Sequence, residues 1–212
     1  AGAYGVRTGR ERSVVARGDA RPAFLRSDTA PLYLAAILFG ATNAAYLSFA
    51  ADRVVSAGGL GGLPGQGAAA AIFISYGAVG LAGLATGWME ARLGLARLLA
   101  LVFAAFSGSM ALVALAPGSW AGVVISAGLH GAGVMAISAI LSFWSLSLFP
   151  GRGAAGFTAA LIGAAAGSVA GPVALGGLID LAGARDAFLI AAGPAGLAAL
   201  ALAGPAARFI RP

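Results

Sequence analysis

Six long apolar runs organise the chain, at about Leu32–Ala51, Ala68–Met89, Leu95–Ala116, Trp120–Leu146, Gly156–Ile179 and Ala187–Ala203. Each is near or above the ~20 apolar residues that take a helix across ~30 Å of hydrocarbon. A membrane-spanning strand needs only ~10 residues in strict alternation, and stretches such as FISYGAVGLAGLAT do not alternate. A soluble bundle would need polar stripes on its outer helices, and the third and sixth runs carry essentially none. The pattern predicts an all-α integral membrane protein with six transmembrane helices over residues 31–212, closing in a short tail. Residues 1–30 hold no long apolar run and read as a solvated leader. They lack the apolar core and cleavage site of a signal peptide.

Composition sharpens this reading. Of 212 residues, 60% are hydrophobic and 9% charged, against about 25% charged in soluble domains. Lipid is therefore expected to be the main solvent. Cysteine is absent and histidine occurs once. That leaves no disulfide framework, no thiolate chemistry and no ligand cluster for zinc. No cofactor is implied. Every basic residue is Arg, which with the Ala and Gly content suits a GC-rich microbial genome and a bacterial or archaeal plasma membrane, the cell inner membrane.

The net charge of +6 does not point to nucleic acid, because no basic patch is interleaved with aromatics. Its distribution follows membrane topology instead. With the leader in the cytoplasm, that side holds Arg7, Arg10, Arg12, Arg17, Arg21 and Arg26, then Arg92, Arg97, Arg152, Arg208 and Arg211. The opposite side holds Arg53 and Arg185. The positive-inside rule then predicts both termini in the cytoplasm.

Helices in lipid associate through close backbone approach and interhelical hydrogen bonds. Gly77, Gly80, Gly83 and Gly87 recur along the second run, Gly128 and Gly131 share a face of the fourth, and Gly163, Gly167 and Gly171 recur every four residues along the fifth. Such stripes are packing seams, and in a carrier also places where helices slide. Pro172 removes a backbone donor in mid-run, and is expected to make either a fixed bend or a flexing point.

GWMEARLG, residues 87–94, sets charges between two apolar runs. Gly87 and Gly94 are expected to turn the chain, and Arg92 to meet helix-end carbonyls or lipid phosphate. Glu90 is not explained by that alone. The stretch resembles the cytoplasmic loop of the major facilitator superfamily, where a Gly, an acidic residue, a basic residue and a Gly join the second and third helices of each half. Here Glu90 stands one place early and Ala91 precedes Arg92. GSVAGPVALGGLIDLAG resembles that family's eleventh helix, GARDAFLIAAG its link into the twelfth, and FWSLSLFPGRGAAGFTAA the turn from the tenth to the eleventh.

The resemblance covers residues 32–205 and implies the carboxy-terminal six-helix half of a twelve-helix carrier, with residues 1–30 as the linker between halves and an amino-terminal half in the same full-length chain. It implies a conformational latch at Gly87, Glu90, Arg92 and Gly94. It also implies a substrate site near the bilayer midplane, facing the first, second, fourth and fifth runs. Mid-depth polar residues there are the candidates, because burying them in lipid is costly: Asn43, Tyr46, Ser75, Tyr76, Ser126, His130 and Ser168. Serines in membrane helices also bond their own backbone. His130 could line the cavity, act as an interhelical donor or carry a proton.

With no acid or Arg at mid-depth, a small organic solute or drug-like molecule fits best. An intramembrane serine protease is excluded, since no Gly-x-Ser-Gly occurs and the sixth run has no His. A stand-alone six-helix protein acting as a homodimer, as a small carrier or a scaffold, is the alternative.

Overall fold

The computed structural model describes residues 27–63 and 65–210. Residues 1–26, most of the expected leader, lie outside them. Among the described residues the chain is all-helical: α1 Ala30–Ser56, α2 Gly65–Gly80, a 3₁₀ turn Leu81–Ala85, α3 Thr86–Leu93, α4 Leu95–Leu115, α5 Trp120–Leu148, α6 Gly153–Ala203 and a final 3₁₀ turn Pro205–Phe209. Five helices, with Gly67–Leu93 counted as one, are long and apolar enough to cross a membrane.

The helix ends have local causes. α1 carries Pro at its first turn, where the missing N–H costs nothing. It runs five residues past the expected end at Ala51, to Ser56. Ser119 caps α5 by accepting the Gly122 N–H at 3.3 Å. Gly94, at φ 77° and ψ 159°, separates α3 from α4. The turn expected at Gly87 is absent: Gly87 is helical, inside α3, with open space where a side chain would be. Helix simply continues there to the first residue with a left-handed φ.

α6 spans 51 residues, about 76 Å of straight helix and more than twice the ~30 Å hydrocarbon core. It is not straight. Gly183 has φ 80° and ψ 158°, which breaks the helix in two. The seven-residue link expected between Ile179 and Ala187 is thus compressed into one glycine. Pro172, in contrast, sits within continuous helical geometry. The break in α6 comes eleven residues beyond the proline expected to bend it.

α1 packs mainly on α6, α2 on α5, and α4 on α6 and α5. The seam between α1 and α6 is made by glycine. A Cβ at Gly167 would strike the Ile37 carbonyl oxygen, one at Gly171 that of Ala41, and one at Gly40 that of Ala164. Gly163 lies on the same stripe with more room, its Cβ position 3.4 Å from the Ile37 side chain. The α2–α5 seam uses Gly131, against the Tyr76 carbonyl, and Gly83, against Met135. Gly77 and Gly87 face open space, so the glycine stripe of the second run packs only in its middle.

The exterior is apolar. Leu84 is 82% exposed and Val173 73%. Polar side chains including Ser109, Ser126 and His130 are buried. This reverses the arrangement of a soluble protein and fits helices solvated by lipid.

The seam yields a prediction of opposite signs. Gly167→Ala and Gly171→Ala push a methyl group into backbone and should destabilise the protein by about 1–3 kcal/mol. Gly193→Ala meets open space and should be neutral or stabilising by up to about 1 kcal/mol from helix propensity alone. Melting temperatures in one detergent compare them. Equal effects at all three positions would remove the close-approach argument.

Candidate functional site

Two apolar clusters are stacked along the helices. One holds Leu32, Leu99, Phe103, Ile140, Trp144 and Leu202. The other holds Ala50, Val54, Met110, Val113, Val123 and Phe188. Along α5 the second cluster ends at Ala127 and the first begins at Ala136. His130 falls in the gap. Along α4 the gap between Phe106 and Met110 holds Ser109, and along α1 the gap between Ala36 and Ala45 holds Thr42 and Asn43. The interior is therefore apolar at both ends and polar in the middle.

Four helices meet in that middle layer. Tyr46 of α1 is fully buried, and its hydroxyl bonds Ser126 of α5 at 2.9 Å. The Ser126 hydroxyl donates to the Ser109 carbonyl of α4 at 2.6 Å. The Ser109 hydroxyl donates to the Phe106 carbonyl at 2.9 Å and contacts His130 Nδ1 at 2.7 Å. Tyr76 of α2 donates to Asn43 Oδ1 at 3.2 Å. Aromatic rings enclose the imidazole. Tyr46 stacks on it at 3.9 Å and 12°, Phe106 lies at 4.9 Å and Tyr76 at 6.1 Å. His130 has no exposed surface, and its Nε2 has no hydrogen-bond partner.

Five of the seven candidate residues thus fall in one connected layer: Asn43, Tyr46, Tyr76, Ser126 and His130. The other two lie apart from it. Ser168 bonds the Ala165 carbonyl of its own helix at 2.8 Å, as membrane serines often do. Ser75 lines a separate cavity of about 410 Å³ with Leu63, Ile74 and Trp120. Ser109 was not among the candidates, yet it carries the bond to His130. Its signal was present: the third run reads FAAFSGSMALV, with Ser107 and Ser109 its only mid-run polar residues.

The latch residues lie near one end of the bundle. The Arg92 guanidinium sits 4.3 Å over the Trp88 ring, one turn earlier on α3, a cation–π contact. Its neighbour in the structure is that indole rather than Glu90. At the opposite end Arg53 donates to the Ala114 carbonyl at 2.9 Å, meeting an orphan carbonyl in the last turn of α4. A cavity of about 560 Å³ lies beside it, lined by Phe49, Asp52, Arg53, Asp180 and Phe188 among others. Among the described residues no group of His, Asp and Glu could hold a metal ion.

Neither a family model nor a curated protein sequence matches the chain.

The layer can be taken apart by mutation. Ser109→Ala leaves the buried His130 Nδ1 without its partner and should cost about 1–3 kcal/mol. Replacing both partners by apolar groups is close to neutral, so the same change in a His130→Phe background should cost far less. A double-mutant cycle on thermal unfolding reads the difference. Additive effects would mean that the two side chains do not interact.

Proposed function

We propose that this chain is the carboxy-terminal six-helix half of a membrane carrier of the major facilitator type, moving a small organic solute or drug-like molecule by alternating access. The observation that carries this reading is the polar layer at mid-depth, built from four helices and walled off at both ends by apolar clusters. Each buried polar group is costly at that depth. A carrier needs such groups to replace the water around its substrate.

Other features support the reading. The break at Gly183 divides α6 into two apolar segments, which supports a reading with six crossings. The first segment packs on α1 through Gly167 and Gly171. The second packs on α4, where Leu202 and Ala198 share a cavity wall with Leu99 and Phe103. The Arg asymmetry of 11 to 2 supports an orientation with both termini in the cytoplasm. Trp88, 59% exposed, and Arg92 then sit at the cytoplasmic interface, where aromatic and basic side chains anchor helices to lipid. In this reading Gly94, Arg92 and Glu90 form the latch, and a second six-helix unit, in the full-length chain, completes the substrate site against α1, α2, α5 and α6.

This sequence has no Cys, so with any Cys elsewhere in the full-length protein replaced by Ser, a substrate-free test is clean. Single Cys residues at Gly62 and Gly183 should react with an impermeant thiol reagent from outside, and at Gly151 and Ala206 from inside. The reverse pattern would invert the topology. Asn43→Cys, at mid-depth and partly buried, should react from each side in turn as the full-length carrier changes state. Protection from both sides under all conditions would end the carrier reading and favour a scaffold.

A further inference from the structure

The polar layer is hydrogen-bonded in one direction only, because each hydroxyl has a single hydrogen. Ser126 gives its hydrogen to the Ser109 carbonyl, so it accepts from Tyr46 at 2.9 Å. Ser109 gives its hydrogen to the Phe106 carbonyl, so it accepts at the 2.7 Å contact with His130. With the Ser109 hydrogen on the Phe106 carbonyl, His130 Nδ1 is the donor and carries a proton. In a neutral imidazole the other nitrogen is then a bare lone pair. That nitrogen, Nε2, is buried and without a partner. The Tyr76 hydrogen goes to Asn43. The hydroxyl hydrogens of Tyr46, Ser126, Ser109 and Tyr76 are thus all directed elsewhere, and none of these four is given to Nε2.

We propose that His130 is held as its Nδ1–H tautomer and that Nε2 is the acceptor of a ligand site for a neutral, flat molecule carrying an N–H or O–H donor. This rests on the carrier reading. Ligand charge is set by what is missing at this depth. The charged residues on the surrounding helices, Asp52 and Arg53 of α1, Glu90 and Arg92 of α3 and Arg97 of α4, lie near helix ends. Nothing charged faces the imidazole to balance an anion or a cation. Flatness follows from the walls, which are the rings of Tyr46, Tyr76 and Phe106 and favour stacking. A donor is required because an acceptor would leave two lone pairs facing each other.

Tyr76 is the cover. It is only partly buried, and its bond to Asn43 ties α2 to α1, two helices that otherwise touch little. Release of that bond uncovers His130.

This sequence has one His, and in the ¹⁵N-histidine spectrum of the full-length protein the His130 resonances are those lost in His130→Gln. At neutral pH the spectrum should show a protonated Nδ1 and a bare Nε2. Ser109→Ala should move the population towards Nε2–H. An Nε2–H tautomer or an imidazolium in the wild type overturns the assignment, as does a ratio unchanged in Ser109→Ala. Four probes then test the ligand class: benzamide, N,N-dimethylbenzamide, benzoate and benzylammonium. Benzamide should bind and shift the Nε2 resonance. Its dimethyl counterpart should bind about tenfold more weakly, the loss of one hydrogen bond. Equal binding of the two amides, preference for a charged probe, or no binding by any overturns the ligand class. The spectrum does not depend on transport. The expected tautomer with a Cys at position 43 closed to both sides keeps the assignment and ends the carrier reading. The opposite result keeps the carrier and removes the site.

Discussion

Lipid does not push helices together, because hydrocarbon solvates their apolar surfaces as well as another helix does. Something else must hold this bundle, and the contact of bare backbone at the α1–α6 seam is the clearest candidate. Gly40, Gly167 and Gly171 let carbonyls of one helix approach the other to a distance that no side chain allows. Close approach increases dispersion contact along the helices and leaves no gap that a lipid chain could fill. The same device recurs between α2 and α5, where Gly131 meets Tyr76. There it also sets the position of the candidate site, because it fixes Tyr76 one residue beyond His130 on the facing helix.

The polar layer depends on those seams. Apart from the Ser109 bond to Phe106, its hydrogen bonds run between helices, as from Tyr46 to Ser126 and from Ser126 to Ser109. They hold only while α1, α4 and α5 keep their register. In a low-dielectric interior such bonds are strong when made and costly when broken. Two apolar clusters on either side keep water out and preserve that setting. Packing and polarity therefore support one another. Glycine brings the helices close, and the layer then fixes their rotation.

The all-helical character and the long apolar helices were legible in the sequence because length and hydrophobicity act locally: a run of ~20 apolar residues is helical in lipid whatever lies beside it. The boundaries were less legible. α1 continues through Asp52 and Arg53 to Ser56, since a helix does not end where hydrophobicity ends. The link expected between Ile179 and Ala187 does contain the break in α6, but a single glycine, Gly183, makes it, because one left-handed φ is enough to turn the chain. Of the site, Asn43, Tyr46, Tyr76, Ser126 and His130 could be picked out as polar residues at the right depth. Ser109 could not be ranked among other serines, because its importance comes from α5 packing on α4, a relation between residues 21 apart. Ser75 and Ser168 passed the same test of depth but face elsewhere.

The α1–α6 seam joins helices that are far apart in the sequence. Ile37 and Ala41 meet Gly167 and Gly171, residues made about 130 positions later. At ~5–20 residues per second of synthesis, α1 waits roughly 6–26 s for its partner. During that interval its glycine notch faces lipid and the Asn43 amide lacks the Tyr76 bond until α2 arrives. α1 is thus made well before the helix that covers it, and its notch stays open to lipid until α6 follows.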